Sequence, residues 1–181
     1  MLHAEGQKFL MPGELVFTNE TIRLNTLLGS CVAITLWHPV RKIGGMCHYL
    51  LPARKMNSNE TLTGRYAEDV MKIFMQEISK YHTRPKDYQV KVFGAGTMVA
   101  NNRVSCMDED PSFVQCQYQC RNVPCQNRKA AINLTCQYGF YVSHYDLGGT
   151  AFRRIEFNLA DGSVLVNGRP DISSDRASGY V

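Results

Sequence analysis

Apolar positions along this chain follow two periods, and the switch between them marks the elements. The first half carries short runs suited to extended strands. Glu14–Thr18 and Thr21–Leu24 are two of them, split by the turn-forming pair Asn19-Glu20. Cys31–Trp37 is apolar and β-branched along its length, which predicts a strand buried on both faces. His38-Pro39 ends it, because proline lacks the ladder donor and restricts the residue before it. Ile43–Leu51 is the next strand, and the pair Gly44-Gly45 near its start signals a bulge or a close approach of another backbone.

The period then lengthens. Apolar residues at 66, 70, 73, 74, 78 and 81 lie on one face of a 3.6-residue repeat and predict a helix over Tyr66–Tyr81. Thr63 stands as its cap, with Glu68 and Asp69 in the first turn, where the helix dipole favours them. Gln89–Phe93 is a strand running into Gly94-Ala95-Gly96. Residues 99–124 read as an irregular, cysteine-bearing insertion. Asn127–Tyr138 is a weaker helix stopped by Gly139. Phe140–Asp146 is a strand, and Phe152–Leu159 with Ser163–Val166 flanks Asp161-Gly162 as a hairpin. Residues 168–181 form a polar tail. Strands with two helices between them make one α/β or α+β domain over 1–181, with its core at about residues 12–167.

Composition narrows the function classes. Hydrophobic residues are 44% and charged residues 20%, as in an ordinary globular protein. No run approaches the roughly 20 apolar residues of a membrane span, so no membrane insertion is expected. The N-terminus shows no secretory pattern, and the expected compartment is the cytoplasm. The net charge of +4 is spread over scattered Lys and Arg, which reads as a solvated surface rather than a nucleic-acid footprint. No nucleotide loop follows Gly94-Ala95-Gly96. The seven cysteines are odd in number and argue against a disulfide framework. Cys116, Cys120 and Cys125 lack the paired knuckles of structural zinc and read as unpaired thiols, so neither metal nor cofactor is expected.

Candidate chemistry begins at Gly29-Ser30-Cys31. Two small residues precede a cysteine where a loop meets a buried strand, so a substrate backbone can come close and turn amides can face a developing oxyanion. By its local pattern alone, Cys31 is a core residue opening an apolar strand. His48 alters that reading. If the strands around Cys31 and His48 pair as a hairpin centred on residues 39–40, position 31 falls opposite position 48, and imidazole beside thiol generates thiolate at neutral pH. Cys47, one step from His48, points to the other face.

The blocks Thr26–Leu36, Gly44–Pro52, Lys91–Met98 and Asp146–Thr150 with Arg153-Arg154 together resemble the chemoreceptor glutamine deamidases, the CheD family, over about residues 12–167. The resemblance implies a compact α/β domain with a β-sandwich-like core of mostly antiparallel strands, flanked by two main helices. It implies hydrolysis of glutamine side chains on the cytoplasmic helices of chemoreceptors, with Cys31 as nucleophile, His48 as base, and Gly29 and Ser30 against the substrate. A CheC-type phosphatase is a further partner it suggests. The family's third catalytic residue is a threonine six positions before the cysteine. That position is Asn25 here, with Thr26 one step later and facing the opposite way along a strand, so Asn25 or Thr26 is the third member. A non-catalytic adaptor, a receptor methylesterase, and a cysteine peptidase or transglutaminase are the alternatives.

Overall fold

A computed structural model describes residues 6–54, 61–97 and 122–170. Two five-stranded sheets stack face to face. The first has the order β1-β3-β8-β9-β10 and the second β2-β5-β4-β6-β7. In chain order these are β1 (Gly6–Phe9), β2 (Leu15–Thr18), β3 (Ile22–Leu28), β4 (Val32–His38), β5 (Ile43–Tyr49), β6 (Gln89–Gly94), β7 (Val142–Leu147), β8 (Arg153–Asn158), β9 (Val164–Val166) and β10 (Arg169–Pro170). Helix α1 (Ala67–Lys80) lies between β5 and β6, and α2 (Val123–Gln137) precedes β7. Pairing is antiparallel except for β1 with β3 and β6 with β7. This is the α+β, sandwich-like architecture with two main helices that the resemblance implies.

The alternation of side chains along β4 explains the layering. Val32, Ile34 and Leu36 face the helices and pack with Val70, Met71 and Phe74 of α1 and Ala131 of α2. Ala33 and Trp37 face the other sheet and pack with Leu24, Leu28, Ile155 and Phe157. The central strand is thus buried on both sides, as its unbroken apolar run requires. Trp37 uses its indole N–H on the Leu159 carbonyl at 3.1 Å, which satisfies the polar tip of a buried ring.

Several local expectations differ from the structure. The strand read at Thr21–Leu24 continues to Leu28, because its inward positions Leu24, Thr26 and Leu28 are all fully buried. Of the two readings of Gly44-Gly45, the close backbone approach holds and the bulge does not. Both glycines admit a neighbouring backbone so closely that a Cβ would sit 2.0 Å from the Leu36 and Val16 carbonyl oxygens. Thr63 does not cap α1. Tyr66 is the N-cap residue and makes no side-chain cap, while the Thr63 N–H donates to buried Asp69 at 3.2 Å. Helix α2 begins at Val123, earlier than Asn127, because Asn122 accepts the Cys125 N–H at 3.0 Å and Pro124 suits the first turn. The tail read from residue 168 onward begins with β10 paired to β9. The insertion read at 99–124 lies mostly outside the described residues.

Candidate active site

The β3–β4 connection crosses from one sheet to the other, and Cys31 stands at its end. Three consecutive carbonyls of this turn are held. Gly29 O accepts the Gly96 N–H at 2.8 Å, Cys31 O accepts the Ala95 N–H at 2.7 Å, and Ser30 O accepts Nδ2 of Asn127 at 3.0 Å. The loop after β6 can approach this closely because residue 94 is glycine. Its φ is +117°, and a Cβ would lie 2.2 Å from the Cys31 oxygen. Gly94 O in turn accepts the Gly148 N–H at 2.8 Å, so the two glycine turns brace the cysteine turn from one side.

The β4–β5 hairpin brings His48 to the same end. The register places His48 opposite Ala33, and Val32 opposite Tyr49. The pairing is therefore shifted by two residues from the expected alignment of 31 with 48. The cause is the turn: His38 pairs with Ile43, and Lys42, with φ +53°, donates its N–H back to the His38 carbonyl at 2.9 Å. A shift of two preserves the face, so His48 still points between the sheets, where half-buried Cys31 also packs. Cys47 points the other way, into the helix-facing core, and burial pushes its thiol up to about 12.

The third position is where the structure and the family spacing part. Thr26, fully buried on the inner face of β3, puts its hydroxyl 2.7 Å from Nδ1 of His48. The same hydroxyl donates to the Leu10 carbonyl at 2.9 Å. Its single proton being committed there, the contact with His48 is completed by Nδ1–H donating to the threonine oxygen. Nε2 is then the basic nitrogen of the neutral ring; it is buried and has no hydrogen-bond partner. Asn25 faces away from His48. Its side chain is buried, and neither amide atom has a partner.

Electrostatics keep both groups neutral at rest. Burial pushes the Cys31 thiol up, opposed by a hydrogen bond from Ser30. Burial pulls the His48 imidazole down, opposed by the Leu10 carbonyl.

Asn127 is the residue that the sequence reading missed. It is fully buried and lies on the inward stripe of α2, four residues before Ala131 and eight before Thr135. A polar side chain on such a stripe is the signal that could have found it. Among the described residues, Cys31, Cys47 and Cys136 are free, and no cluster of His, Cys, Asp and Glu could hold a metal ion. Cys125 is disulfide-bonded, which corrects its reading as an unpaired thiol; Cys106, Cys116 and Cys120 lie outside the described residues. No described helix is long and apolar enough to cross a membrane.

Fold and site together define an α+β sandwich whose inner face carries a half-buried cysteine and an imidazole held by a buried hydroxyl. The family follows from comparison with known proteins. The model of the family described as "CheD chemotactic sensory transduction" matches residues 50–168, a segment that begins just after His48. A protein of Pseudomonas syringae pv. syringae named "Probable chemoreceptor glutamine deamidase CheD" is 45% identical over 161 residues, covering 89% of this chain and 84% of its own. Similarly named proteins of Dechloromonas aromatica and Leptospira interrogans serovar Lai are 39% and 34% identical, covering 86% and 90% of this chain and 84% and 92% of theirs. The chain belongs to the CheD family.

Proposed function

We propose that this protein is a protein-glutamine deamidase that converts glutamine side chains of chemoreceptors to glutamate, with Cys31, His48 and Thr26 as its catalytic residues. The observation that carries this reading is the orientation of His48: Nδ1 is tied to the Thr26 hydroxyl at 2.7 Å, leaving a basic, unpartnered Nε2 on the inner face shared with Cys31. The names of the relatives supply the substrate class.

The steps follow from the groups present. Nε2 of His48 takes the Cys31 thiol proton, and the sulfur attacks the side-chain amide carbon of glutamine. Charge gathers on the former carbonyl oxygen, where the N–H groups of the Gly29–Cys31 turn can receive it. A trans peptide sets each C=O opposite to the next N–H, so a turn whose carbonyls are drawn into the protein sends its N–H groups outward. His48 returns the proton to the departing nitrogen, ammonia leaves, and a thioester remains. Water then loses a proton to Nε2 and attacks the thioester. The products are glutamate and the regenerated thiol.

Mass spectrometry of receptor incubated with the protein tests the reading. Each converted glutamine gains about 1 Da by exchange of NH2 for OH in this mechanism. Loss of about 14 Da per site would indicate ester hydrolysis instead. An unchanged receptor mass would leave a binding adaptor and overturn the proposal.

The pH dependence has a definite sign. The base must be neutral to act, and burial disfavours its charged form, so His48 stays neutral to lower pH than an ordinary histidine. The acid limb of kcat/KM is therefore expected below the usual histidine value of about 6.5. Because burial pushes the Cys31 thiol up, its alkylation by iodoacetamide in the His48→Ala variant is expected to rise only above the ordinary cysteine range, near 8.5. An acid limb above 7 would contradict this assignment.

A further inference from the structure

Asn127 is an unusual residue to find at complete burial on a helix packed against the central sheet. Its Nδ2 group donates twice, to the Ser30 carbonyl at 3.0 Å and to the Leu50 carbonyl at 2.8 Å. Both acceptors are carbonyl oxygens, so the amide can be oriented only one way round. This leaves Oδ1 buried and without a partner. Such an orphan atom is costly, of order 1–3 kcal/mol. An apolar residue here would avoid that orphan but would leave the Ser30 and Leu50 carbonyls without this donor, so the amide is kept for what it holds.

The two carbonyls belong to the residue before Cys31 and to the residue two after His48. One amide group therefore ties the cysteine turn to the end of the histidine strand. The backbone carbonyl of Asn127 accepts the Tyr49 hydroxyl at 2.6 Å, which seats α2 beside the same strand.

The Ser30 contact has a specific consequence. Ser30 C=O and Cys31 N–H share one rigid peptide plane and point in opposite directions. Holding the oxygen toward α2 directs the Cys31 N–H away from α2, toward the inter-sheet side where the Cys31 thiol and His48 lie. We infer that Asn127 is a positioning residue for the deamidation reaction: by fixing the Ser30–Cys31 peptide plane it aims the Cys31 N–H at the oxygen that becomes negative during attack. This inference rests on the assignment of Cys31 as nucleophile. It differs from a general packing role in what it leaves untouched, because alkylation of the thiol by iodoacetamide develops no oxyanion and needs no such donor.

The test compares two reactions of the same cysteine in the full-length protein. Asn127→Ala is expected to lower kcat for receptor deamidation about 10- to 100-fold, the usual cost of losing one such donor or its support, with KM changed less than about 3-fold. The Cys31 alkylation rate should stay within about 3-fold of wild type. Asn127→Asp, nearly isosteric, sets a carboxylate oxygen against the Ser30 carbonyl and is expected to lose at least as much kcat; it serves where the alanine variant is poorly folded. Tyr49→Phe removes the neighbouring tie of α2 and should lower the Tm while largely keeping kcat. The inference is overturned if the Asn127 variants keep kcat within about 3-fold, if alkylation falls in parallel with deamidation, or if Tyr49→Phe loses as much kcat as they do. Cys31→Ala separates the two levels: an active Cys31→Ala overturns the nucleophile assignment itself, whereas an inactive one alongside fully active Asn127 variants overturns only the role of Asn127.

Discussion

Cys31→Ala is expected to reduce glutamine deamidation at least about 10⁴-fold, because a nucleophile that forms a covalent intermediate has no substitute once removed. The other cysteine on the paired strands cannot replace it. Cys47 lies in the core between sheet and helices, fully buried, with its thiol pushed up to about 12. Cys47→Ala is therefore expected to keep turnover and lose stability by roughly 1 kcal/mol, the scale for deleting a small buried group. Cys31→Ser separates shape from chemistry. It keeps the size of the side chain but substitutes a hydroxyl far harder to deprotonate, so it should resemble Cys31→Ala in rate while binding receptor like wild type. Ammonia release and receptor mass provide the readout. A Cys31→Ala protein that still deamidates receptor at more than about one-tenth of the wild-type rate would require a different nucleophile.

How much of this was legible in the sequence differs from element to element. β4 announces itself, since seven consecutive buried residues fit only a central strand covered on both sides. Helix α1 is equally plain because its buried residues recur on one stripe, at Ala67, Val70, Met71, Phe74 and Ile78. The β4–β5 hairpin, which brings His48 to the end of the sheet where Cys31 stands, was legible in face but not in register. Its loop holds Lys42 in the left-handed region, and nothing in a lysine signals that conformation. Helix α2 was legible from Asn127 onward but not in its first turn, since its start depends on Asn122 and Pro124 in a stretch without an apolar stripe. Asn127 offered only one local sign, a polar side chain on the inward stripe of α2. Its importance comes from two carbonyls 77 and 97 positions away in the chain, and no local pattern encodes contacts of that range. Asn25 misled for a related reason. Counting backward from the cysteine assumes one continuous strand, but the chain leaves one sheet and enters the other between Leu28 and Val32. Side-chain facing on β3 is set by its own partners, not by spacing to Cys31.

That distinction yields a contrast between adjacent residues. Thr26→Val is expected to lower kcat about 10²- to 10³-fold, although valine matches threonine in shape. The methyl group supplies no acceptor for Nδ1–H and no donor for the Leu10 carbonyl, both now within 3 Å of an oxygen that the variant lacks. The imidazole loses the bond that fixes its tautomer. A ring carrying its proton on Nε2 offers no base to the Cys31 thiol. Leaving two buried polar groups unpaired should also lower stability, by about 1–3 kcal/mol for each group. Thr26→Ser restores the hydroxyl and is expected to recover most of kcat, which a stability effect alone would not produce. Asn25→Ala, by contrast, removes a buried amide that bonds to nothing and faces away from His48, and kcat should stay within about 2-fold. Steady-state kinetics of the three variants, with thermal melts to follow folding, checks both halves. If Asn25→Ala abolished turnover and Thr26→Val did not, the base would have to be oriented from the opposite face of β3, which the 2.7 Å contact between Thr26 and His48 argues against.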